Sequence, residues 1–454
     1  MMIRAVEVES SLRPVLLDKA GEIPARFSRV VTDSKQVRPG DLFVALKGER
    51  HDGHDFLGDA LSLGARGLLV RRPPASRPEG VAVYVVGDTL QALQMMAAGR
   101  RRRFPVRVIG VTGSVGKTTT KEITASVLSR RYRVLKNEAN YNNEIGLPLT
   151  LLKLTRRHER AVLEMGMYAP GEIRQLCGIA LPHAGVVTNV GPVHLARLGS
   201  IEAIAEAKTE LVEALPADGY AVLNGDDPRV RAMSGRTRAA VLLYGASEGC
   251  DVRGTGLESG GLRGFSFDIE REGRKARVQT RLPGPHLLHN FLAAAAVGLM
   301  EGMTLEEVAD ALSQARSQLR LKVYRGRKGS VILDDTYNAS PASMLAALAL
   351  LADVPGRRIA VLGDMRELGA QEEEGHRVVG REAARVVDEL HTVGELGRII
   401  ADEARRGGHE AVRDWATKEE AARAVAKKLD KGDVVLLKAS RALELETVLP
   451  ELKG

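Results

Sequence analysis

Cysteine is almost absent: the 454 residues hold two, Cys177 and Cys250, at no metal-type spacing. Neither a disulfide framework nor a zinc site can be built from them, and the chain reads as cytoplasmic. Long apolar runs are also missing. The nearest, Phe291 to Met300, is alanine-rich and well short of the ~18 residues a membrane span takes, which predicts no membrane insertion. Glu7 and Glu9 interrupt any apolar stretch near the first residue, so no signal peptide is expected. Aromatic residues make up 4% of the chain and are not interleaved with its basic runs, as a single-strand nucleic-acid platform requires. The net charge of +8 could favour nucleic acid or simply acidic small molecules, and of the two no nucleic acid is expected. The densest cationic run, Arg100 to Arg103, closes a helix expected from Thr89 to Ala98 and reads as a solvated C-terminal cap.

What is present is apolar residue enough, 44%, for several cores in a chain too long for one. Three α/β blocks are expected, over 1–87, 88–313 and 314–454.

The strongest signal is Val106-Arg-Val-Ile-Gly-Val-Thr-Gly-Ser-Val-Gly-Lys-Thr-Thr-Thr120, a buried strand entering a glycine-rich turn and then a helix. Gly113 and Gly116, with Ser114 and Val115 between them, let backbone N–H groups close around phosphate oxygens. Lys117 adds a point charge, the Thr118 hydroxyl suits Mg²⁺, and the helix entered through Thr119 turns its positive end to the anion. The ligand expected is ATP. The usual G-x-x-x-x-G-K-[ST] spacing would place glycine at Val111, whereas Gly110 stands one position too early. A mere tight turn is the competing reading, and the strand, turn and helix context outweighs it.

Ahead of this loop, short β-type runs around Val30, Leu42, Gly67 and Val81 form a small α/β unit. Its Ser34 and Lys35 could hold a phosphate, but loops of Asp, Ser and Lys are ordinary turn material, and from composition alone the turn is the better reading. After the loop, Arg160 to Met165, Ala184 to Val190 and Tyr220 to Asp227 are short apolar runs ending in polar residues, separated by helical stretches. They predict a doubly wound parallel sheet with ligand groups at its strand carboxyl ends. That rule picks out Glu164 and His194 as suitable magnesium ligands beside a triphosphate, although a single His in a loop is more often a surface or structural residue. Lys208 sits in an amphipathic helix over Glu202 to Glu213 and by itself reads as a solvated charge. Hairpins are expected from Arg253 to Arg281, then a close-packed alanine helix near whose start Asn290 could bond a base or cap the helix. From about Arg320 a third, Rossmann-like pattern begins, without a G-x-G-x-x-G fingerprint and with Asp335, Asp364 and Lys438 at strand ends. These residues point to an enzyme that closes α/β domains over ATP and do not say what the ATP is used for.

Several segments in order resemble the Mur ligases of bacterial peptidoglycan synthesis across nearly the whole chain. Val111-Thr-Gly-Ser-Val-Gly-Lys-Thr-Thr119 is similar to that family's own loop, T-G-x-x-G-K-T, which accounts for the spacing. Asn140-Tyr-Asn-Asn-Glu-Ile-Gly-Leu-Pro-Leu-Thr150, Asp334-Asp-Thr-Tyr-Asn-Ala-Ser-Pro-Ala-Ser-Met344, Gly363-Asp-Met-Arg-Glu-Leu-Gly369 and Leu436-Leu-Lys-Ala-Ser-Arg441 resemble the member that adds D-alanyl-D-alanine to UDP-N-acetylmuramoyl-tripeptide.

The resemblance implies an acyl-phosphate mechanism with two Mg²⁺ ions. It places Thr118 and Glu164 on one metal and His194 on a second, with Lys208 carried as a carbamate that orients the metal. It makes Lys117, His194, Lys208 and Arg320 the catalytic set, and adds His286, Asn290, Arg320 and Asp335 to the ATP site. Ser34, Lys35, Asn142, Asn143, Tyr337 and Asn338 become substrate-binding residues of a monomer. Lys35 replaces a usual Arg in T-D-S-R, keeping charge but losing the two-pronged geometry, and Ala439 replaces a usual Gly in K-G-S-R. The sister ligase that adds the third amino acid is the nearer alternative. A P-loop ATPase that binds nucleic acid is the more distant one.

Overall fold

The computed structural model describes residues 2–76, 78–138, 140–192, 195–315 and 321–453. Three large sheets, each mostly parallel, carry most of the described residues, beside a two-stranded antiparallel pair of Ile3–Arg4 and Arg26–Phe27. The first runs Leu16–Ala20, Ala82–Val86, Gly67–Val70, Leu42–Val44, Val30–Val31, with the outermost pair, Leu16–Ala20 with Ala82–Val86, antiparallel.

The central sheet has nine strands. From the hairpin edge inward it runs Arg274–Thr280, Phe265–Arg271, Val252–Ser259, Ala240–Gly245, Tyr220–Asn224, Ala184–Val187, Arg107–Thr112, Arg160–Glu164, Val134–Lys136. The two pairings at the hairpin edge are antiparallel and the rest are parallel. Val108, Ile109, Val111, Ala161, Val162, Leu163, Val186 and Val222 are all fully buried, as strands covered on both faces require. The chain leaves Arg107–Thr112 towards one edge and later returns to its other side. The strand ends beside it therefore open into the crevice where such sheets bind ligands.

One face of this sheet is covered by the helix Leu288–Met300, whose alanines let it approach closely. A Cβ on Gly298 would stand 2.9 Å from Val308 and 3.1 Å from Val127, the latter on the helix that follows the glycine-rich loop. The other face shares one continuous apolar cluster with the first sheet, through Leu93, Met96 and Ala97 of the helix Thr89–Arg102. The arginines that close this helix correct one expectation. Arg100 is 6% exposed, pairs with Glu7 at 2.7 Å and donates to the Leu154 carbonyl at 2.6 Å, so it ties two units together rather than capping a helix in solvent.

The third sheet runs Lys322–Arg325, Val331–Asp334, Val434–Lys438, Arg358–Gly363, Glu389–Val393, Val412–Trp415, parallel except at its first pair. It has its own apolar clusters on both faces. Leu262, from the turn between two central strands, packs against one of them, and the Ser259 hydroxyl donates to Asp353 at 2.6 Å beside it. Among the described residues no helix is long and apolar enough to cross a membrane.

Candidate active site

The strand Arg107–Thr112 delivers the chain into a turn whose glycines are required by space as well as by phosphate chemistry. Gly113 has φ +145° and a Cβ there would stand 1.9 Å from the Thr188 hydroxyl. Gly116 has φ +83°, caps the helix Lys117–Leu128, and a Cβ there would meet the Asn290 amide at 2.5 Å. The loop is held from outside by the end of the neighbouring strand. Asn189 accepts from the Val115 N–H at 2.8 Å and donates to the Val115 carbonyl at 2.9 Å, Thr188 donates to the same carbonyl at 2.7 Å, and the Ser114 hydroxyl exchanges hydrogen bonds with Gly191. The Lys117 ammonium lies over the loop, donating to the Gly113 carbonyl at 2.8 Å and the Ser114 carbonyl at 3.1 Å. Thr119 follows in the first helical turn.

Glu164 ends the adjacent strand and is 2% exposed. The Thr118 hydroxyl donates to one carboxylate oxygen and the Asn142 amide to the other, each at 2.8 Å. No lysine or arginine among the described residues forms an ion pair with this carboxylate, and no group of three metal-ligating side chains gathers among them. A buried anion with oxygen neighbours, beside a phosphate loop, fits Mg²⁺, which keeps water and phosphate oxygens as its remaining ligands.

Lys208 overturns its solvated reading. The helix Ile201–Glu213 turns it inward to 2% exposure, and burial, then the nearby charge of Lys117, push its ammonium well below the usual lysine range.

The alanine helix brings Asn290 to the loop, where its amide donates to the Gly116 carbonyl at 3.2 Å and to Thr120 at 2.8 Å. Asn290 thus fastens the helix start rather than capping its own helix. His286, just before that helix, is held by burial below the usual imidazole range. Asp335 raises its pKa and Lys438 lowers it, so the ends of two strands of the third sheet reach the edge of this site. There Lys438, 2% exposed, donates to the Asp335 carboxylate at 2.5 Å and the Asn338 carbonyl at 3.1 Å. Tyr337 and Asn338 are exposed beside it.

The remaining candidates divide. Asn142 joins Glu164, whereas the Asn143 carboxamide oxygen accepts from the Gly146 N–H at 2.9 Å in the turn that enters the helix Gly146–Leu151. Ser34 is buried and Lys35 exposed in a short turn that Asp33 organises by accepting from the Lys35 N–H at 3.0 Å. His194 and Arg320 lie outside the described residues.

Four residues were missed by sequence reasoning. Thr188 and Asn189 stood in view as the polar end of a strand, and their place beside Arg107–Thr112 at the switch point was the signal for a loop-holding role. Lys121 was hidden among helix charges, though it shares a face with Thr124, Ala125 and Leu128 and is fully buried with them. Asn137, also fully buried, had no signal of its own.

Three sequence families match in chain order: "Mur ligase family, catalytic domain" over residues 26–101, "Mur ligase middle domain" over 111–298 and "Mur ligase, glutamate ligase domain" over 319–441. The chain is 40% identical over 429 residues to the UDP-N-acetylmuramoyl-tripeptide--D-alanyl-D-alanine ligase of Bacillus subtilis, covering 93% of this chain and 92% of that one. Among solved structures it is similar to MurF from Acinetobacter baumannii, with TM-score 0.88 and 31% identity over 100% and 99% of the two chains. It is also similar to the MurF ligase of Thermotoga maritima in complex with ADP, with TM-score 0.81 and 34% identity over 93% and 96%.

Proposed function

The chain belongs to the Mur ligase family, and from that premise we propose that it joins D-alanyl-D-alanine to UDP-N-acetylmuramoyl-tripeptide at the cost of ATP. The observation that carries this reading is the phosphate loop closed by Lys117 with the buried Glu164 beside it, in a chain this similar to ligases of that name. The sister ligase and the nucleic-acid ATPase are not favoured, because the relatives at this identity carry the D-alanyl-D-alanine ligase name.

In the reaction the tripeptide carboxylate attacks the γ-phosphorus of ATP and ADP leaves. The amine of D-alanyl-D-alanine then attacks the acyl carbon, phosphate leaves, and a proton from the amine is lost to solvent. Loop N–H groups and Lys117 bind and orient the phosphates. Thr118 and Glu164 would hold magnesium, which supplies charge neutralisation on the transferring phosphoryl group. Lys208, disfavoured as a cation by its burial, is the residue we assign to carbamate formation, and His194 to a second metal. Residues 1–87 are assigned to the UDP-sugar, 88–313 to ATP, and 314–454, with Arg320 and Asp335, to closure over the nucleotide. Ser34, Lys35, Asn142, Asn143, Tyr337 and Asn338 are assigned to the substrates in this reading. We place the enzyme in the cytoplasm as a monomer.

The test measures ADP release with UDP-N-acetylmuramoyl-tripeptide and each amine in turn. D-alanyl-D-alanine should support turnover. Turnover with diaminopimelate or lysine on the UDP-dipeptide instead, or stimulation by nucleic acid alone, would overturn the proposal. A ¹³C signal from labelled bicarbonate that disappears in Lys208→Met is expected for the carbamate.

A further inference from the structure

The strand Val134–Lys136 pairs in parallel with Arg160–Glu164 only as far as Lys136 opposite Val162. Past that point its backbone turns away, two residues before the ladder would reach Glu164. The side chain of Asn137 takes over. Its Oδ1 accepts from the Glu164 N–H at 2.9 Å, and its Nδ2 donates to the Glu164 carbonyl at 3.0 Å and to the Tyr141 carbonyl at 2.8 Å. A carboxamide carries the same donor and acceptor as a peptide group, so one side chain completes the ladder on this side while Val111 completes it on the other.

The same amide therefore ties the main chain of Glu164 to the segment that carries Asn142, the donor on the Glu164 carboxylate. Asn142 is bound back in turn, because its carbonyl accepts from the Gly166 N–H at 2.9 Å. Behind Asn137 stands Lys121, fully buried, donating to the Asn137 carbonyl at 2.8 Å and lying 3.1 Å from the Glu122 carboxylate. Burying an ammonium is costly, and an apolar side chain of equal length would fill the space at less cost. What the ammonium adds is a fixed direction for the Asn137 main chain, and hence for its amide.

We infer that Asn137, clamped by Lys121, is a positioning residue that sets where the Glu164 carboxylate oxygens stand for a divalent cation. This rests on the reading of Glu164 as a magnesium ligand. Residues that orient a ligand typically contribute 10–100-fold to metal affinity, whereas a residue that only seals a strand end changes stability and leaves the cation alone.

The experiment uses the full chain with Mn²⁺ as the probe, followed by electron paramagnetic resonance in the presence of ADP, with metal-free ADP binding measured alongside by calorimetry. Asn137→Ala should weaken Mn²⁺ about 10–100-fold with metal-free ADP binding unchanged. The kcat should fall while KM for D-alanyl-D-alanine stays constant, and excess Mg²⁺ should restore part of the rate. Lys121→Met should weaken Mn²⁺ by a smaller factor, and Lys121→Arg, which keeps a donor, should recover most of it. Unchanged Mn²⁺ affinity in Asn137→Ala, or an equal loss of metal-free ADP binding, overturns the inference. If Asn137→Ala does not fold, Lys121→Met decides it by the same criterion. Glu164→Gln separates the two levels: if it leaves Mn²⁺ binding intact, the ligand reading falls and this inference with it. If it weakens Mn²⁺ and Asn137→Ala does not, the inference falls alone.

Discussion

The central and third sheets present similar carboxyl edges, each a row of parallel strands ending in polar and charged residues, yet they treat charge in opposite ways. At the third sheet the charges satisfy one another. Lys438 meets Asp335, and the Asp364 carboxylate accepts from the Leu396 and Gly397 N–H groups at 3.0 Å each and from Arg366 at 2.9 Å. At the central sheet like is set beside like: Lys117 bears on Lys208, and Glu164 is buried with hydrogen-bond donors but no paired cation among the described residues. In the function proposed above, phosphate and metal would supply the opposite charges at the central edge, whereas an edge that closes over them would need none and can satisfy its charges within itself.

That contrast can be broken most forcefully at the loop. Lys117→Ala should leave the fold intact and lower ligation, read as ADP release with both substrates, by at least about 100-fold. Normal phosphate release would sink the assignment. Lys438→Met should do the reverse, acting first on stability. Removing one partner of a mostly buried pair costs about 3 kcal/mol, visible as a lowered Tm, with the metal-free ADP affinity of the central loop retained.

Lys208 sharpens the comparison through pH. Its folded pKa lies well below the ordinary value of about 10.4, so between the two the unfolded chain binds one more proton than the folded one. Stability from this group therefore rises with pH across that window, by up to about 1.4 kcal/mol per pH unit, and is lost as pH falls towards the folded pKa. Melting curves of Lys208→Met without bicarbonate should be flatter over the same range. A slope identical to that of the unaltered protein would show that the amine is not held neutral.

The smallest effect is expected at Asp226, where the central edge compensates a charge internally. Burial alone would raise this carboxyl, but the Ala246 and Ser247 N–H groups and His289 outweigh it and hold it at about 2. Its folded pKa is depressed, so the stabilisation is present above the unfolded value of about 3.9 and is lost as pH falls towards 2. Asp226→Asn should cost about 1–2 kcal/mol at neutral pH and converge with the unaltered protein in acid, as acid titration of the Tm would reveal.

The sequence by itself determined the class of fold and pointed to the glycine-rich loop as the candidate site. Period-2 and continuous apolar runs, glycine where φ is positive, and a lysine followed by threonines are local features, so strands, phosphate loop and the alanine helix could be read from neighbours along the chain. Glu164 was legible because strand ends in a parallel sheet converge. Tertiary structure alone decided the rest. Lys208 and Arg100 are the same residue types on amphipathic helices as any solvated charge, and only tertiary packing, within the central unit for Lys208 and between two units for Arg100, turned them inward. Asn143 and Asn142 are adjacent in one motif, yet one accepts from the Gly146 N–H and the other donates to the Glu164 carboxylate, because a turn of backbone separates their directions. Asn137 and Lys121 acquire meaning only where one strand of the sheet ends two residues before its neighbour, which is a fact of register between distant segments and is written in neither.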